Sequence, residues 1–336
     1  MSALHGFGLG IASENATGDT LDVFYPQPLS HVSGALCDRL TGVTGRLDSA
    51  QLRELATMLH EVGESTLGDI ASRLIETDKP IVAAVLSDNR AAGSVEEAYL
   101  KLHLLSHRLV KPHQTDLTGL FGLLPNVAWT DQGPIDLSEL PQRQLDARLR
   151  GTILEVSSVD KFPKMTNYVV PAGVRIAHTA RVRLGAYLGE GTTVMHEGFI
   201  NFNAGTEGPG MIEGRISAGV WVGTGSDLGG GCSTMGTLSG GGDIIISVGR
   251  ECLIGANAGL GIPLGDRCTI EAGLFVTAGT KVSLLDESGN VVDTVSARTL
   301  AGRPDLLFRR HSVTGSVQCL TNQSAIALNE MLHVNN

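Results

Sequence analysis

The sequence contains few aromatic residues and no cluster of positive charge, and each shortage excludes a class of protein. Aromatic residues make up only 4% of the 336 residues, so large rings are not the main filling of the core. Lys and Arg total 25 against 35 Asp and Glu, which gives a net charge of −10. No run of Lys and Arg is interleaved with aromatic residues, so we expect no nucleic-acid partner.

Cysteine and long apolar runs are also scarce. The five cysteines are odd in number, have no CxxC spacing and follow no signal-like N-terminus, which predicts a reduced, cytoplasmic protein. No apolar run approaches the roughly 18 residues that span a bilayer, so we expect no membrane partner. Glycine, by contrast, accounts for 43 of the 336 residues. Small side chains therefore occupy positions that most folds fill with large ones.

The pattern changes along the chain and predicts four regions. Residues 1–112 mix strand-like segments with two amphipathic helical stripes, which is typical of an α/β domain; the role of this domain stays open. Residues 113–168 are a connecting region in which HQTDLTGLFGLLPNVAWTDQGPIDL is predicted as a loop. Residues 169–283 carry a six-residue repeat, and residues 284–336 form a short C-terminal segment. The two stripes are Leu52, Leu55, Leu59 and Val62, and then Val95, Ala98, Leu102, Leu105 and Leu109 after a Ser94–Glu97 capping box.

Within the repeat, an aliphatic residue recurs every six positions and a small residue follows it four places later. The step shortens to four from Ile212 to Ile216 and from Leu260 to Leu264. A period of six is typical of a mainly β fold, the parallel β-helix, in which three hexapeptides form one triangular coil. The glycine-rich segment 236–246 interrupts the repeat and is predicted as an external loop. The predicted interior residues are Ile176, Val182, Leu188, Val194, Ile200, Ile212, Ile216, Val222, Leu228, Thr234, Val248, Ile254, Leu260, Leu264, Ile270, Val276 and Val282.

The fold alone leaves two classes of function open, because a fold does not fix a function. One is an acyltransferase that uses an acyl-CoA donor, and the other is a non-catalytic or metal-dependent β-helix of the carbonic-anhydrase type. The metal-dependent class needs three histidines that converge on one metal. His178 and His196 lie one predicted coil apart, and no third histidine lies within the repeat. We therefore interpret this pair as surface histidines.

Four segments carry a resemblance to a known family: VMHEGFINFNAGTEGPGMIEGRIS, GSDLGGGCSTMGTLSGGG, LIGANAGLGIPLGDRCTIEAGLFVTAGTKV and PDLLFRRHS. From about Tyr99 onward the chain resembles the tetrahydrodipicolinate N-succinyltransferases of bacterial lysine and diaminopimelate biosynthesis, in the version with a long N-terminal domain. The resemblance implies a left-handed β-helix and a homotrimer with sites between subunits. It also implies transfer of a succinyl group from succinyl-CoA to the amine of hydrated, ring-opened tetrahydrodipicolinate, giving N-succinyl-2-amino-6-oxoheptanedioate and CoA. An acetyl-CoA donor or another amine acceptor stays open, because both donors use the same CoA groove.

The resemblance implies a set of site residues as well. The catalytic carboxylate of the family falls on Glu213, either as a general base for the amine or as a nucleophile that forms a succinyl anhydride; the high energy of an anhydride favours the base. Arg215 is assigned to the succinyl carboxylate, because a guanidinium binds a carboxylate through two parallel hydrogen bonds. A structural ion pair between Glu213 and Arg215 is the alternative interpretation. The succinyl-CoA contacts carried over from the family are Gly230, Ser233, Ala256, Glu271, Ala272 and Gly279, and Lys281, Arg309 and Arg310 are candidates for the CoA phosphates.

His196 and Glu197 supply an alternative catalyst and a candidate metal ligand. Some hexapeptide acyltransferases use a histidine base, which makes His196 the second candidate. In relatives, the carboxylate that matches Glu197 can bind Mg²⁺ on the trimer axis together with an acid one coil earlier. That coil here reads IAHTAR and holds Ala180 in place of an acid, and a single carboxylate is a poor site for a hard cation. We expect no tightly bound cofactor, and Mg²⁺ at Glu197 is the weaker interpretation.

Overall fold

The computed structural model describes residues 4–237 and 243–321, which divide into two compact units. The first unit contains the chain up to Pro163 together with Asn167–Val169. The second contains Lys164–Thr166 and the chain from Val170 onward. The predicted combination of an N-terminal α/β region with a mainly parallel β region is confirmed. None of the helices in the described ranges is long and apolar enough to cross a membrane.

A five-stranded sheet forms the centre of the first unit. The strands of this sheet are β1 (Leu4–Glu14), β2 (Thr20–Phe24), β3 (Leu29–Val32), β4 (Gly45–Arg46) and β5 (Ile81–Leu86). The first unit also contains the helices α1 (Gly34–Leu40), α2 (Ser49–Glu61), α3 (Ser65–Leu74) and α4 (Val95–Ser106). β1 pairs antiparallel with β2, β3 and β5. Side chains of α2 and α3 share one core with Phe7 and Leu9 of β1. Gly8 leaves room for Leu100 of α4, because a methyl group there would lie 2.9 Å from the Leu100 side chain.

The predicted helical stripes are largely buried. In α4, Ala98, Leu102 and Leu105 are buried, and so are Leu52, Leu55 and Leu59 in α2. Leu109, however, lies beyond the end of α4 and is 38% exposed, so its assignment to the stripe was wrong. Arg108, with φ of 62°, turns the chain out of the helix. Ser94 accepts the Glu97 backbone N–H, whereas the Glu97 carboxylate accepts from Gly93 rather than from Ser94.

The segment predicted as a loop is partly regular structure. It contains the helix α5 (Leu120–Leu123) and the strands β6 (Val127–Thr130) and β7 (Gly133–Asp136), and α6 (Leu140–Leu149) and β8 (Val156–Asp160) follow. The strand β6 pairs antiparallel with both β7 and β8. The loop prediction was wrong because strands of four residues are too short to show alternation beside their turn residues. Gly133, at φ of 98°, closes the β6–β7 hairpin.

The second unit is a parallel β-helix with three faces. Face A contains β9 (Arg175–Ile176), β11 (Thr192–Val194), β14 (Gly210–Ile212), β17 (Asp227–Leu228), β20 (Leu253–Ile254) and β22 (Thr269–Ile270). Face B contains β12 (Phe199–Ile200), β15 (Arg215–Ile216), β18 (Ser233–Thr234), β21 (Gly259–Gly261) and β23 (Phe275–Thr277). Face C contains β10 (Tyr187–Leu188), β13 (Gly205–Thr206), β16 (Trp221–Val222) and β19 (Ser247–Val248). The chain passes from face A to B to C in every coil. The hexapeptide prediction is confirmed.

The repeat predicts the interior of this unit closely. Every predicted interior residue from Val182 to Val282 is buried, and Ile176 in the first coil is half-buried. Thr206 fills the interior position that the aliphatic pattern skips between Ile200 and Ile212; it is 2% exposed. Its hydroxyl is 2.7 Å from the hydroxyl of Thr192. A polar pair therefore replaces one aliphatic contact, which explains the gap in the pattern.

The corners explain the small residues and the glycine-rich segment. A methyl group on Gly198 would lie 2.1 Å from the Ile212 carbonyl oxygen of the next coil, so a larger residue cannot fit there. The glycine-rich segment follows face B, where Thr237 bridges Ile245. Part of that predicted external loop, residues 238–242, lies outside the described residues. Trp221 pairs with Ser247, so the segment lengthens one coil without disturbing the stacking.

The strands of the predicted C-terminal segment extend face A. They are β24 (Lys281–Leu285), β25 (Val291–Ser296), β26 (Leu306–Arg310) and β27 (Val317–Thr321). β26 stacks parallel on β22, with Thr269 opposite Leu307. β27 then pairs antiparallel with β26. The regular parallel stacking of face A therefore ends at this hairpin.

Candidate active site

One corner of the β-helix, between face A and face B, holds half of the predicted site residues: Glu197, Glu213, Gly230, Ala256, Glu271 and Ala272. We call it the A–B corner, and its successive levels are residues 195–198, 213–214, 229–232, 255–258 and 271–274. Backbone hydrogen bonds join neighbouring levels: the Asn257 N–H donates to the Gly230 carbonyl, and the Gly273 N–H donates to the Ala256 carbonyl, each at 2.8 Å. The corner is therefore a continuous column that runs along the unit.

The level that contains Glu213 is shorter than its neighbours. β14 ends at Ile212 and β15 begins at Arg215, so this level has only Glu213 and Gly214. The level before it spans 195–198 and the level after it spans 229–232. The slip of the repeat from six to four is this shortened corner. We call this shortened level, which consists of Glu213 and Gly214, the notch.

Glu213 is exposed and its carboxylate lies beside Gly230. A methyl group on Gly230 would be 3.3 Å from Cδ and from Oε2 of Glu213. The backbone of Glu213 is held in the stack, since its N–H donates to the Leu228 carbonyl at 2.8 Å. The fixed backbone and the free carboxylate together suit a group that acts on a ligand.

Arg215 begins the adjacent strand on face B and is also exposed. Phe199 and Ser233 are its neighbours in the two flanking strands. In the described part of the chain, no ion pair is found for either Arg215 or Glu213. The structural alternative, in which Glu213 and Arg215 merely pair with each other, is therefore not what the structure shows. Both charges are available to a ligand.

The column continues with Gly230, Ala256, Glu271 and Ala272 at successive levels of the A–B corner, and Ser233 lies next to it on face B. Small side chains here keep the backbone accessible along the corner. The far end is closed by a hydrogen bond of 2.6 Å from the Arg310 backbone N–H to the Glu271 carboxylate. The structure thus aligns these predicted contacts along one edge.

Gly279, Lys281 and Arg309 lie outside the A–B corner levels. Gly279 is in the turn that follows β23, and Lys281 begins β24, where its ammonium group is 3.2 Å from the Ser296 hydroxyl. The Arg309 guanidinium donates to the Gln318 side chain at 3.1 Å. Their assignment to CoA stays a prediction.

The level before Glu213 carries a polar cluster. His196 Nδ1 lies 2.6 Å from Glu197 Oε1, and Arg181 binds the other carboxylate oxygen. The hydrogen bond from His196 is the main cause that lowers the pKa of the Glu197 carboxyl. The His178 ring meets the His196 ring edge-on at 5.1 Å between centroids. The two histidines therefore lie next to each other in successive coils, as their 18-residue spacing predicts.

This cluster does not fit Mg²⁺. Both oxygens of Glu197 already bind protein groups, and Ala180 offers no ligand one coil earlier. Among the described residues, no group of three His, Cys, Asp or Glu side chains is arranged to hold a metal ion. Hard cations need several oxygen ligands, so no step of the chemistry is assigned to a metal here.

The sequence alone did not indicate a cavity of about 300 Å³ on the outer side of face A. Arg175, Thr193, Met195 and Met211 line it. These are outward positions, which the repeat treats as variable, so the period carries no signal for them. Only the slip at Ile212, next to Met211, marks this part of the chain.

Comparisons with known proteins bear on the family of this chain. Residues 124–164 match the model for the middle region of tetrahydrodipicolinate N-succinyltransferases, and residues 245–278 match the hexapeptide repeat of succinyltransferases. A 2,3,4,5-tetrahydropyridine-2,6-dicarboxylate N-succinyltransferase from Pseudomonas putida is 62% identical over 343 residues, covering 100% of this chain and 99% of the relative. The chain belongs to this family. The resemblance in the four motifs is thereby confirmed, and the chain is an N-succinyltransferase.

Further relatives extend the same match. The enzyme of the same name from Vibrio cholerae is 56% identical, with 99% of this chain and 100% of the relative covered. A crystal structure from Campylobacter jejuni, described as a 2,3,4,5-tetrahydropyridine-2-carboxylate N-succinyltransferase, superimposes with a TM-score of 0.87 at 31% identity. The match covers 97% of this chain and 94% of that one. The family fold therefore includes the first unit as well as the β-helix.

Proposed function

We propose that this N-succinyltransferase transfers the succinyl group of succinyl-CoA to the amine of hydrated, ring-opened tetrahydrodipicolinate. The products are N-succinyl-2-amino-6-oxoheptanedioate and CoA, as in lysine and diaminopimelate biosynthesis. The observation that carries the proposal is the notch at Glu213, where an unpaired carboxylate and the unpaired guanidinium of Arg215 flank a corner that is lined by small residues.

Glu213 is the general base in this proposal. It takes a proton from the substrate ammonium, the amine nitrogen attacks the thioester carbon, and a tetrahedral oxyanion forms. When the oxyanion collapses, the C–S bond breaks and the C–N bond remains. The proton held by Glu213 passes to the departing CoA thiolate, and the attacking nitrogen releases its second proton to water, which leaves the neutral amide. Such base catalysis contributes roughly 10²–10⁴ in rate. The anhydride route would instead let Glu213 attack the thioester itself.

Backbone N–H groups beside Glu213 are the candidates for holding the oxyanion. In the run of three glycines, the Gly229 N–H is used in the stack, where it donates to the Ile254 carbonyl at 2.7 Å. Gly230 and Gly231 are the remaining donors, and Gly230 is next to the Glu213 carboxylate. Fixed N–H groups that point to a developing negative charge lower the barrier most when they need no rearrangement.

The donor is held along the A–B corner. Arg215 binds the succinyl carboxylate, and the small residues Gly230, Ala256 and Ala272 let the pantetheine arm approach the backbone. Ser233, Glu271 and Gly279 complete the contacts carried over from the family. Lys281, Arg309 and Arg310 supply positive charge for the CoA phosphates, which an acidic protein must provide locally.

The active form is proposed to be a homotrimer in the cytoplasm, with each site between two β-helices. An exposed catalytic carboxylate on a lone β-helix cannot exclude water from a thioester, and a neighbouring subunit would close that site. The buried cysteines of the described chain are all free, which suits a reducing compartment. Static light scattering on dilution tests the assembly, and a fully active monomer would contradict it.

The decisive experiment measures thiol release by the purified protein with tetrahydrodipicolinate and either succinyl-CoA or acetyl-CoA. We expect turnover with succinyl-CoA to exceed that with acetyl-CoA. Glu213→Gln keeps the shape of the side chain and should lower turnover by at least about 10²-fold, with little change in succinyl-CoA binding. Absence of thiol release with both donors would contradict the proposal.

His196→Gln is the matched control, since it removes the alternative base. If it abolishes turnover while Glu213→Gln does not, then His196 is the catalyst. Acyl exchange between succinyl-CoA and labelled CoA, without the amine, separates the two roles of Glu213. Exchange would indicate an anhydride, whereas a general base gives none.

A further inference from the structure

The cavity on face A is directly next to the A–B corner. It has a volume of about 300 Å³, which is the lower end of the range for small-molecule sites. Met211 lines the cavity and lies in β14, which ends at Ile212, immediately before Glu213. The Met195 N–H donates to the Ile212 carbonyl at 2.9 Å, which places Met195 next to Glu213 in the neighbouring coil. One end of the cavity therefore lies next to the level of Glu213, although Glu213 itself is not part of the lining.

The opposite end of the cavity carries a positive charge. Arg175, Thr193 and Met211 occupy neighbouring positions in three successive strands of face A. Two strand spacings of about 4.8 Å separate the Arg175 strand from the strand that leads to Glu213. Arg175 is exposed, and in the described part of the chain its side chain has no ion-pair partner. A guanidinium thus lies on the order of 10 Å from the corner, at the far side of a partly apolar cavity.

These features match a particular class of acceptor. A chain of seven carbons with an amine near one end and a carboxylate at the other spans a distance comparable to that between the A–B corner and Arg175. The methionine side chains can contact its methylene groups, and Arg175 can bind its distal carboxylate through two hydrogen bonds. A monocarboxylate of the same length would leave Arg175 without a partner.

We propose that the face A cavity is the acceptor site and that Arg175 selects an α-amino acid with a second carboxylate at its far end. The inference rests on the proposed function and names the place of the second substrate. Donor and acceptor then approach Glu213 from different faces of the β-helix. The succinyl carboxylate lies on face B at Arg215, the acceptor lies on face A, and Glu213 stands on the corner between them.

The test compares two acceptors that differ only in the distal carboxylate, 2-aminoheptanedioate and 2-aminoheptanoate. The wild type should prefer the dicarboxylate in kcat/KM. Arg175→Met should raise the KM for the dicarboxylate by roughly 10- to 100-fold, the usual effect of losing a hydrogen-bonded charge. It should also abolish the preference, while the KM for succinyl-CoA changes less than about twofold. Arg175→Lys should restore part of the preference, because lysine keeps the charge but not the fork.

The control is Arg148→Met, which removes an exposed arginine from α6 in the first unit. It should leave both KM values and the preference unchanged. If Arg175→Met keeps the preference for the dicarboxylate, the inference is wrong. If Arg175→Met instead changes the molar mass in light scattering, the cavity belongs to a subunit contact and the inference is also wrong. A wild type without activity on either acceptor or on tetrahydrodipicolinate would contradict the proposed function itself.

Discussion

The carboxylate of Glu213 lies against Gly230 of the next coil, so closely that a methyl group on Gly230 would be 3.3 Å from Glu213 Cδ. The contact joins two levels of the A–B corner that differ in length. Gly230 is not among the residues with positive φ in the described chain, so its lack of a side chain reflects space rather than backbone strain. That space is where we expect the reacting groups to meet.

We predict that Gly230→Ala impairs activity more than stability. The added methyl group displaces the exposed Glu213 side chain and fills the notch, whereas the backbone can keep its conformation. Turnover should fall by about tenfold or more, while the free energy of unfolding changes by less than about 1 kcal/mol. Steady-state kinetics and urea unfolding of the same preparation check both parts. A variant with full activity would remove Gly230 from the site.

We predict that Gly214→Ala, one position after Glu213, acts in the opposite way. Gly214 is buried, and a methyl group there would be 2.2 Å from Cys232 Sγ and 2.8 Å from the Cys232 carbonyl oxygen. Such overpacking costs about 1–3 kcal/mol of unfolding free energy. Adding Cys232→Ala should recover part of the loss, because it removes the nearer of the two atoms. Gly279→Ala, which meets no atom within 4 Å, is the control and should unfold like the wild type.

We predict that Arg215 determines the choice of donor. Arg215→Met removes the partner of the succinyl carboxylate but leaves the small-residue corner intact. The ratio of kcat/KM for succinyl-CoA to that for acetyl-CoA should fall by roughly 10- to 100-fold. Arg215→Lys should give an intermediate ratio, since an ammonium cannot form the two parallel bonds. An unchanged ratio in Arg215→Met would place the succinyl carboxylate elsewhere.

We predict that the first unit loses stability as the pH falls below neutrality, through His103. Its Nε2 accepts the Tyr25 backbone N–H at 3.2 Å, its Nδ1 contacts the Tyr99 carbonyl at 2.8 Å, and burial lowers the pKa of His103 from 6.5 to about 3. The unfolded chain takes up a proton near pH 6.5, and the folded chain does so only near pH 3. The stabilisation is therefore complete above pH 6.5 and declines by about 1.4 kcal/mol per pH unit below it.

Urea unfolding at several pH values between about 7 and 5 measures that slope. His103→Gln should be less stable at neutral pH but should show a shallower decline, because glutamine does not titrate. Equal slopes in His103→Gln and the wild type would contradict the assignment.

The six-residue period predicts the β-helix well because each aliphatic side chain must point into the same narrow interior. The slip from Ile212 to Ile216 even predicts where a corner is shortened, and that corner holds Glu213. The period is uninformative about outward residues, so the cavity beside Arg175 could be found only from the structure. Lys281 and Arg309 were chosen by charge and lie outside the A–B corner, and their assignment to the CoA phosphates stays a prediction.

The first unit was harder to predict for a different physical reason. The end of α4 depends on Arg108 adopting φ of 62°, which nothing in its side chain requires. The hairpin of β6 and β7 has strands of only four residues each, and the Gly, Pro and Asn residues around them suggested a loop. Local sequence identifies turns, but tertiary contacts decide whether the short segments between them pair.

The hairpin at the C-terminal end of face A also bears on solubility. A stack of parallel coils ends in unpaired N–H and C=O groups, which could accept the first coil of another molecule and lead to end-to-end polymerisation. β26 covers the edge of β22, and β27 then runs in the opposite direction. β24 and β25 continue the sheet beyond β27, so a further coil would meet a mixed sheet of longer strands and not the two-residue strands on which a coil stacks. The C-terminal strands therefore oppose end-to-end polymerisation, because they cover the edge that the last coil would otherwise expose.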